Sequence, residues 1–153
     1  MTPAPDFVRE RAAWQEVIAL LEREEAALIA GDTDALAALT DSKLEKLDAL
    51  SAHGRARVAY FAAHRVEATP AGIRAWLARH DDPALAAQWL ALEDCERRAR
   101  ALNARIGTLI DMRLAATRQA LNVLIGALPD ESRLYGPAGK PDTPAGGRSI
   151  STV

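Results

Sequence analysis

The chain has 153 residues, and Ala (33), Leu (19), Arg (16), Glu (10) and Lys (3) together make up about 53% of it, a share typical of long helices and coiled coils. Only 13 residues are Val or Ile and 5% are aromatic, too little β-branched and aromatic material for the strands of an ordinary sheet. A formal charge of −2 removes the general attraction to nucleic acid or anionic lipid, and no run reaches the ~18–20 apolar residues of a membrane span.

An all-α protein is expected, an elongated antiparallel helical bundle or coiled coil whose core is thin because much of its apolar content is alanine. The opening Met-Thr-Pro-Ala-Pro-Asp lacks the basic-then-apolar pattern of a secretory signal, and the lone Cys95 allows no internal disulfide. Both point to a cytoplasmic protein.

Asp6 is a good N-cap, and Trp14, Val17, Ile18, Leu21 and Leu28 follow at helical spacings, predicting an amphipathic helix over 6–30. Gly31 suits a left-handed stop, and Asp32 or Thr33 then caps a second helix over 33–64 carrying Leu36, Leu39, Leu47, Leu50, Val58 and Phe61. Two long antiparallel helices with a short connection result. Thr69-Pro70 opens a short helix over 70–80 with Ile73, Trp76 and Leu77, and Asp82-Pro83 repeats the device. No proline interrupts the pattern from there to Leu128, so 83–128 reads as one helix, well beyond the usual globular range of roughly 8–20 residues.

After Pro129 the composition turns to Gly and Pro, with too few apolar residues to offset the entropy of ordering. The division expected is a helical domain over 1–128 and a flexible, disordered tail over 129–153. Leu134-Tyr135 and Ile150 interrupt the polar tail, either by accident or as a short recognition motif.

The last helix carries a wide apolar arc. With Ile106 at zero and ~100° per residue, Leu124, Thr117, Ile110, Leu121 and Leu114 fall within roughly 80° on one side, while Leu109, Ala116, Ala120 and Val123 reach back on the other. That exceeds the ~100° stripe that packs one helix face. Either two other helices cover it in a three-helix bundle, or part of it is reserved for another polypeptide.

Bond chemistry finds no support. His53, His64 and His80 are scattered and pair with no Cys or acid at ligand spacing, so neither metal nor cofactor is expected. Glu93, Asp94 and Glu96 adjoin Arg97, Arg98 and Arg100, which makes a solvated charge-paired face. Cys95 has no activating histidine nearby in sequence. Gly136-Pro-Ala-Gly139-Lys140 lacks the glycine spacing, the Ser/Thr and the preceding strand of a phosphate loop. Trp14, Trp76 and Trp89 read as anchors joining helices. No enzyme is indicated.

Across nearly its whole length the chain resembles the FlgN family of flagellar type III export chaperones. The resemblance is carried by Leu102-Asn103-x-x-x-Gly107-x-Leu109-Ile110, by Gln119-Ala120-Leu121-x-Val123-Leu124, by Leu134-Tyr135-Gly136-x-x-Gly139 and by the ending Gly146-Gly147-Arg148-Ser149-Ile150-Ser151. Ile106 stands where that family often has asparagine. The resemblance implies a cytoplasmic helical chaperone for the hook–filament junction proteins FlgK and FlgL, whose C-terminal segments dock on the last helix. The residues implied in that contact are Ile106, Leu109, Ile110, Arg113, Leu114, Thr117, Leu121 and Leu124. By the same implication Leu134, Tyr135 and Gly136 engage the cytoplasmic domain of the export gate, FlhA. No nucleic acid, membrane insertion or cofactor is implied. The competing expectation is a structural coiled-coil protein whose surplus apolar arc serves self-association, without a chaperone role.

Overall fold

The computed structural model describes residues 4–127. These form four helices, α1 (Phe7–Ala30), α2 (Thr33–Ala63), α3 (Pro70–His80) and α4 (Pro83–Gly126), with no strand among the described residues. The expected tail over 129–153 lies outside them. Spatial proximity divides the chain into two units, one ending at Met112 and the other starting at Arg113.

Local chemistry sets the helix ends. The Asp6 carboxylate accepts from the Arg9 N–H at 3.0 Å, Asp32 from Ala35 at 3.0 Å, Thr69 from Gly72 at 3.1 Å and Asp82 from Leu85 at 3.0 Å, each satisfying a first-turn donor that the helix itself leaves open. Gly31 closes α1 in the left-handed region at φ 72°, where glycine pays no steric penalty. Asp32 then donates its N–H to Ala27 while its side chain caps α2, so the C-cap of α1 and the N-cap of α2 are neighbouring residues. Gly72 has a different reason: a β-carbon there would stand 2.2 Å from the Glu67 backbone oxygen.

In the first unit the ion pairs give the helix directions. Glu10 meets Arg57 and Glu24 meets Lys43, so α1 and α2 run antiparallel; Glu22 meets Arg98 and Glu25 meets Arg105, so α1 and α4 run parallel. The apolar core lies in two clusters along this arrangement. One joins Val17, Ile18, Leu21 and Leu28 of α1 to Leu50 of α2 and Ala99, Leu102 and Ile106 of α4. The other joins Phe7, Phe61, Ile73, Leu77, Trp89 and Leu92, and so fastens α3 to the three longer helices. Half-buried Trp14 packs against both.

The stripe expected on α2 is only partly core. Leu39, Leu50 and Phe61 are buried, Leu36 is half-buried, and Leu47 and Val58 are exposed. Leu39, Leu50 and Phe61 are spaced eleven residues apart, three helical turns, so they fall on one line of α2. Leu47 and Val58 share that spacing on an adjacent line.

One polar group sits inside this apolar frame. Glu10 is 2% exposed, and both its oxygens accept from Arg57 Nε at 3.1 Å. The Arg57 guanidinium lies 5.3 Å from the Trp89 ring centroid, and Trp89 packs on Phe7 with centroids 5.4 Å apart. Three helices thus meet through one buried ion pair and one indole. Removing a single partner of such a pair leaves an uncompensated charge, whereas replacing both by apolar groups is often nearly neutral. Glu10→Ala is therefore expected to lower the urea unfolding free energy by about 3 kcal/mol, and Glu10→Leu with Arg57→Met to recover most of that loss.

The α1–α4 pairs predict a pH effect. Arg105 donates to Glu25 at 2.8 and 3.3 Å; that hydrogen bond, opposed by burial and aided to a lesser degree by the guanidinium charge, holds the Glu25 carboxyl below its ordinary value. A lowered carboxyl contributes stability above its unfolded-state value and loses it as the pH falls through the folded one. Arg105→Gln should raise the Glu25 titration midpoint seen by NMR and shrink the acid-side loss of stability.

Candidate protein-binding surface

The pairs Glu22 with Arg98 and Glu25 with Arg105 place α4 at an offset of 76 and 80 residues along α1. Ala30, the last residue of α1, is thereby level with the stretch Ile106 to Ile110 of α4. Burial follows this register. Ile106 is 3% exposed and sits in the core with Leu28 and Leu102. Leu109 is half-buried against that cluster, and Ile110 is exposed. Of the residues implied in substrate contact, Ile106 thus serves the bundle core.

From Asp111 to Ala127 every residue is exposed. In the second unit Leu114, Leu121 and Leu124 are 49%, 54% and 62% exposed, and with Thr117 they occupy one side of the helix at spacings of three, four and seven. Arg113 flanks them on the same helix. Ile125 extends the face, and Val123 stands exposed across the helix from it. Sequence reading passes over Met112, which is also exposed in the first unit; its apolar character was the available signal, but it falls outside the stripe. A soluble helix ordinarily buries its apolar stripe, so an exposed one of this length is a candidate contact for another protein.

Gly107 does not interrupt the helix. A β-carbon there would touch nothing within 4 Å, and the neighbouring Thr108 hydroxyl donates back to the Ala104 carbonyl at 3.2 Å. Leu134, Tyr135 and Gly136, implied in gate contact, lie outside the described residues.

The other candidates resolve into structure. The imidazole Nδ1 atoms of His64 and His80 lie 2.8 Å from the carbonyls of Tyr60 and Trp76, four residues back. Their rings stack on those same aromatic side chains, with centroids 4.1 and 4.0 Å apart. The two histidines therefore finish helices. Cys95 is half-buried beside the first core cluster. Glu93 pairs with Arg74 at 2.7 Å, Asp94 with Arg97 at 2.7 Å, and Glu96 with Arg100. Among the described residues no group of three or more His, Cys, Asp or Glu is placed to hold a metal ion, and no helix is long and apolar enough to cross a membrane.

A protein-family model described as FlgN protein matches residues 6–143. No curated protein and no solved structure matches the chain. The match covers far more than half the sequence, and the chain belongs to the FlgN family, whose members are flagellar export chaperones that bind hook-associated proteins.

The contrast between Ile106 and the exposed face is measurable. Ile106→Ala should cost about 2–4 kcal/mol in urea unfolding, whereas Leu121→Ala and Leu124→Ala should each stay within about 0.5 kcal/mol, the range of surface substitutions. Gly107→Ala should raise stability by up to about 1 kcal/mol, because alanine orders a helix interior at lower entropic cost.

Proposed function

We propose that this FlgN family member is a cytoplasmic chaperone for the C-terminal segments of the junction proteins FlgK and FlgL. Leu114, Thr117, Leu121 and Leu124, flanked by Arg113, receive an amphipathic segment of the substrate and keep it from associating prematurely. Leu134, Tyr135 and Gly136 then present the loaded chaperone to the cytoplasmic domain of FlhA. The observation that supports this reading most directly is the run of exposed apolar side chains in a family whose members bind other proteins.

The physical chemistry required is modest. Half-exposed Leu114, Leu121 and Leu124 together offer on the order of 150 Å² of apolar surface, from ~100 Å² per fully buried aliphatic side chain. Desolvating them gives useful affinity, while ordering a flexible substrate segment keeps binding reversible, as delivery to an export gate demands.

Leu114→Asp with Leu121→Asp is expected to abolish binding of a peptide from the FlgK C-terminus in titration calorimetry, while circular dichroism stays helical; undiminished binding would place the substrate elsewhere. Tyr135→Ala should leave peptide binding intact and weaken binding to the FlhA cytoplasmic domain. Retention of gate binding in that variant would dismiss the role of the Leu134-Tyr135-Gly136 segment.

A further inference from the structure

Two apolar stripes follow one another along α4. Leu92, Ala99, Leu102 and Ile106 belong to the buried clusters. After them come Ile110, Leu114, Thr117, Leu121 and Leu124, at spacings of four, three, four and three residues, and all five are exposed. That alternation is the d and a pattern of a heptad, the repeat that keeps a stripe facing a second helix coiled along it. The surface it describes fits a helix lying lengthwise on α4.

The charges beside the stripe indicate which helix. With Leu114 and Leu121 at a and Ile110, Thr117 and Leu124 at d, Asp111 and Arg118 both fall at e, seven residues apart. Both are exposed. Neither has an opposite charge three or four residues away on the helix, and neither forms an ion pair among the described residues. When two such helices run antiparallel, e positions face each other. Asp111 of one copy then meets Arg118 of the other, and two-fold symmetry repeats the contact. The same register sets Ile110 across from Leu121 and Leu114 across from Thr117. It sets Leu124 across from Gly107, where a β-carbon would meet nothing of the chain's own fold within 4 Å and where the missing side chain leaves room for the leucine. A parallel pair loses the match, because a g residue then faces the e residue five positions on, and Arg113 would stand against Arg118.

We propose that free copies of this chain pair through α4 as a short antiparallel coiled coil, held in register by reciprocal contacts between Asp111 and Arg118. The pairing stands on the heptad and its charges alone. Its consequence, that a second copy and a substrate segment compete for Leu114, Leu121 and Leu124, rests on the substrate reading given above.

Analytical ultracentrifugation of the full chain from about 5 to 500 µM, the range of weak association, should show monomer passing into dimer. Asp111→Arg and Arg118→Asp each place like charges at both e contacts and should weaken dimerisation at least tenfold. Combining the two exchanges in one chain should restore it. An equimolar mixture of the two single variants should also restore it, as a heterodimer. Both positions are exposed, and circular dichroism checks that the variants remain helical. A monomer at every concentration overturns the proposal, and so does a dimer insensitive to the single exchanges or one that the double exchange fails to restore. Titrating a FlgK C-terminal peptide into the monomeric Asp111→Arg chain reads the substrate site separately, so that a failure of pairing and a failure of substrate binding are told apart.

Discussion

The register of α4 along α1 is the constraint on which the first unit depends. Phe7 packs on Trp89 near the helix starts, and Glu25 reaches Arg105 toward the end of α1. Between these fixed points α1 spends its apolar face on Leu92, Ala99, Leu102 and Ile106. The salt bridges themselves are mostly solvated and worth little individually. Their value is in excluding alternative alignments, since a slide by one helical turn would separate the charges and unpack Phe7 from Trp89.

Given that register, lengths settle the boundary between core and candidate binding residues. α1 has 24 residues and α4 has 44. Ile106 is the last α4 residue in the buried cluster; Leu109 is half-covered and Ile110 exposed. In the second unit Leu114, Leu121 and Leu124 are exposed, apolar sequence allotted to α4 that the core clusters do not use. The export-chaperone reading makes sense of that allocation, because a protein that must take up and release a partner needs apolar surface its own fold does not consume.

Much of the helical framework was legible in local chemistry. Asp6, Gly31, Thr69-Pro70 and Asp82-Pro83 mark helix ends through backbone hydrogen bonding within a few residues, so no tertiary information is needed to recognise them. The width of the apolar arc on the last helix was legible too, since periodicity reports a face directly. Periodicity does not report what lies across from that face. Ile106 belongs to the same pattern as Leu121, and Leu47 and Val58 to the same stripe as Leu50. Their separation into covered and uncovered follows from helix register. Glu10 with Arg57 was hidden for a related reason. The two are 47 residues apart, and Glu10 in sequence resembles any acidic first-turn residue.

The two-residue joint Gly31-Asp32 between α1 and α2 bears on the order in which the protein assembles. Closing so short a connection costs little chain entropy, so this helical pair is a local unit able to form as soon as both helices exist. The contacts of α1 with α4 span 76 and 80 residues and wait for the later half of the chain. At ~5–20 residues per second on the ribosome, the part of the Val17, Ile18 and Leu21 face that Ala99, Leu102 and Ile106 cover waits seconds for them during every round of synthesis. An export chaperone thus passes its own synthesis with apolar surface uncovered, bordered by Glu22 and Glu25, which have yet to meet Arg98 and Arg105.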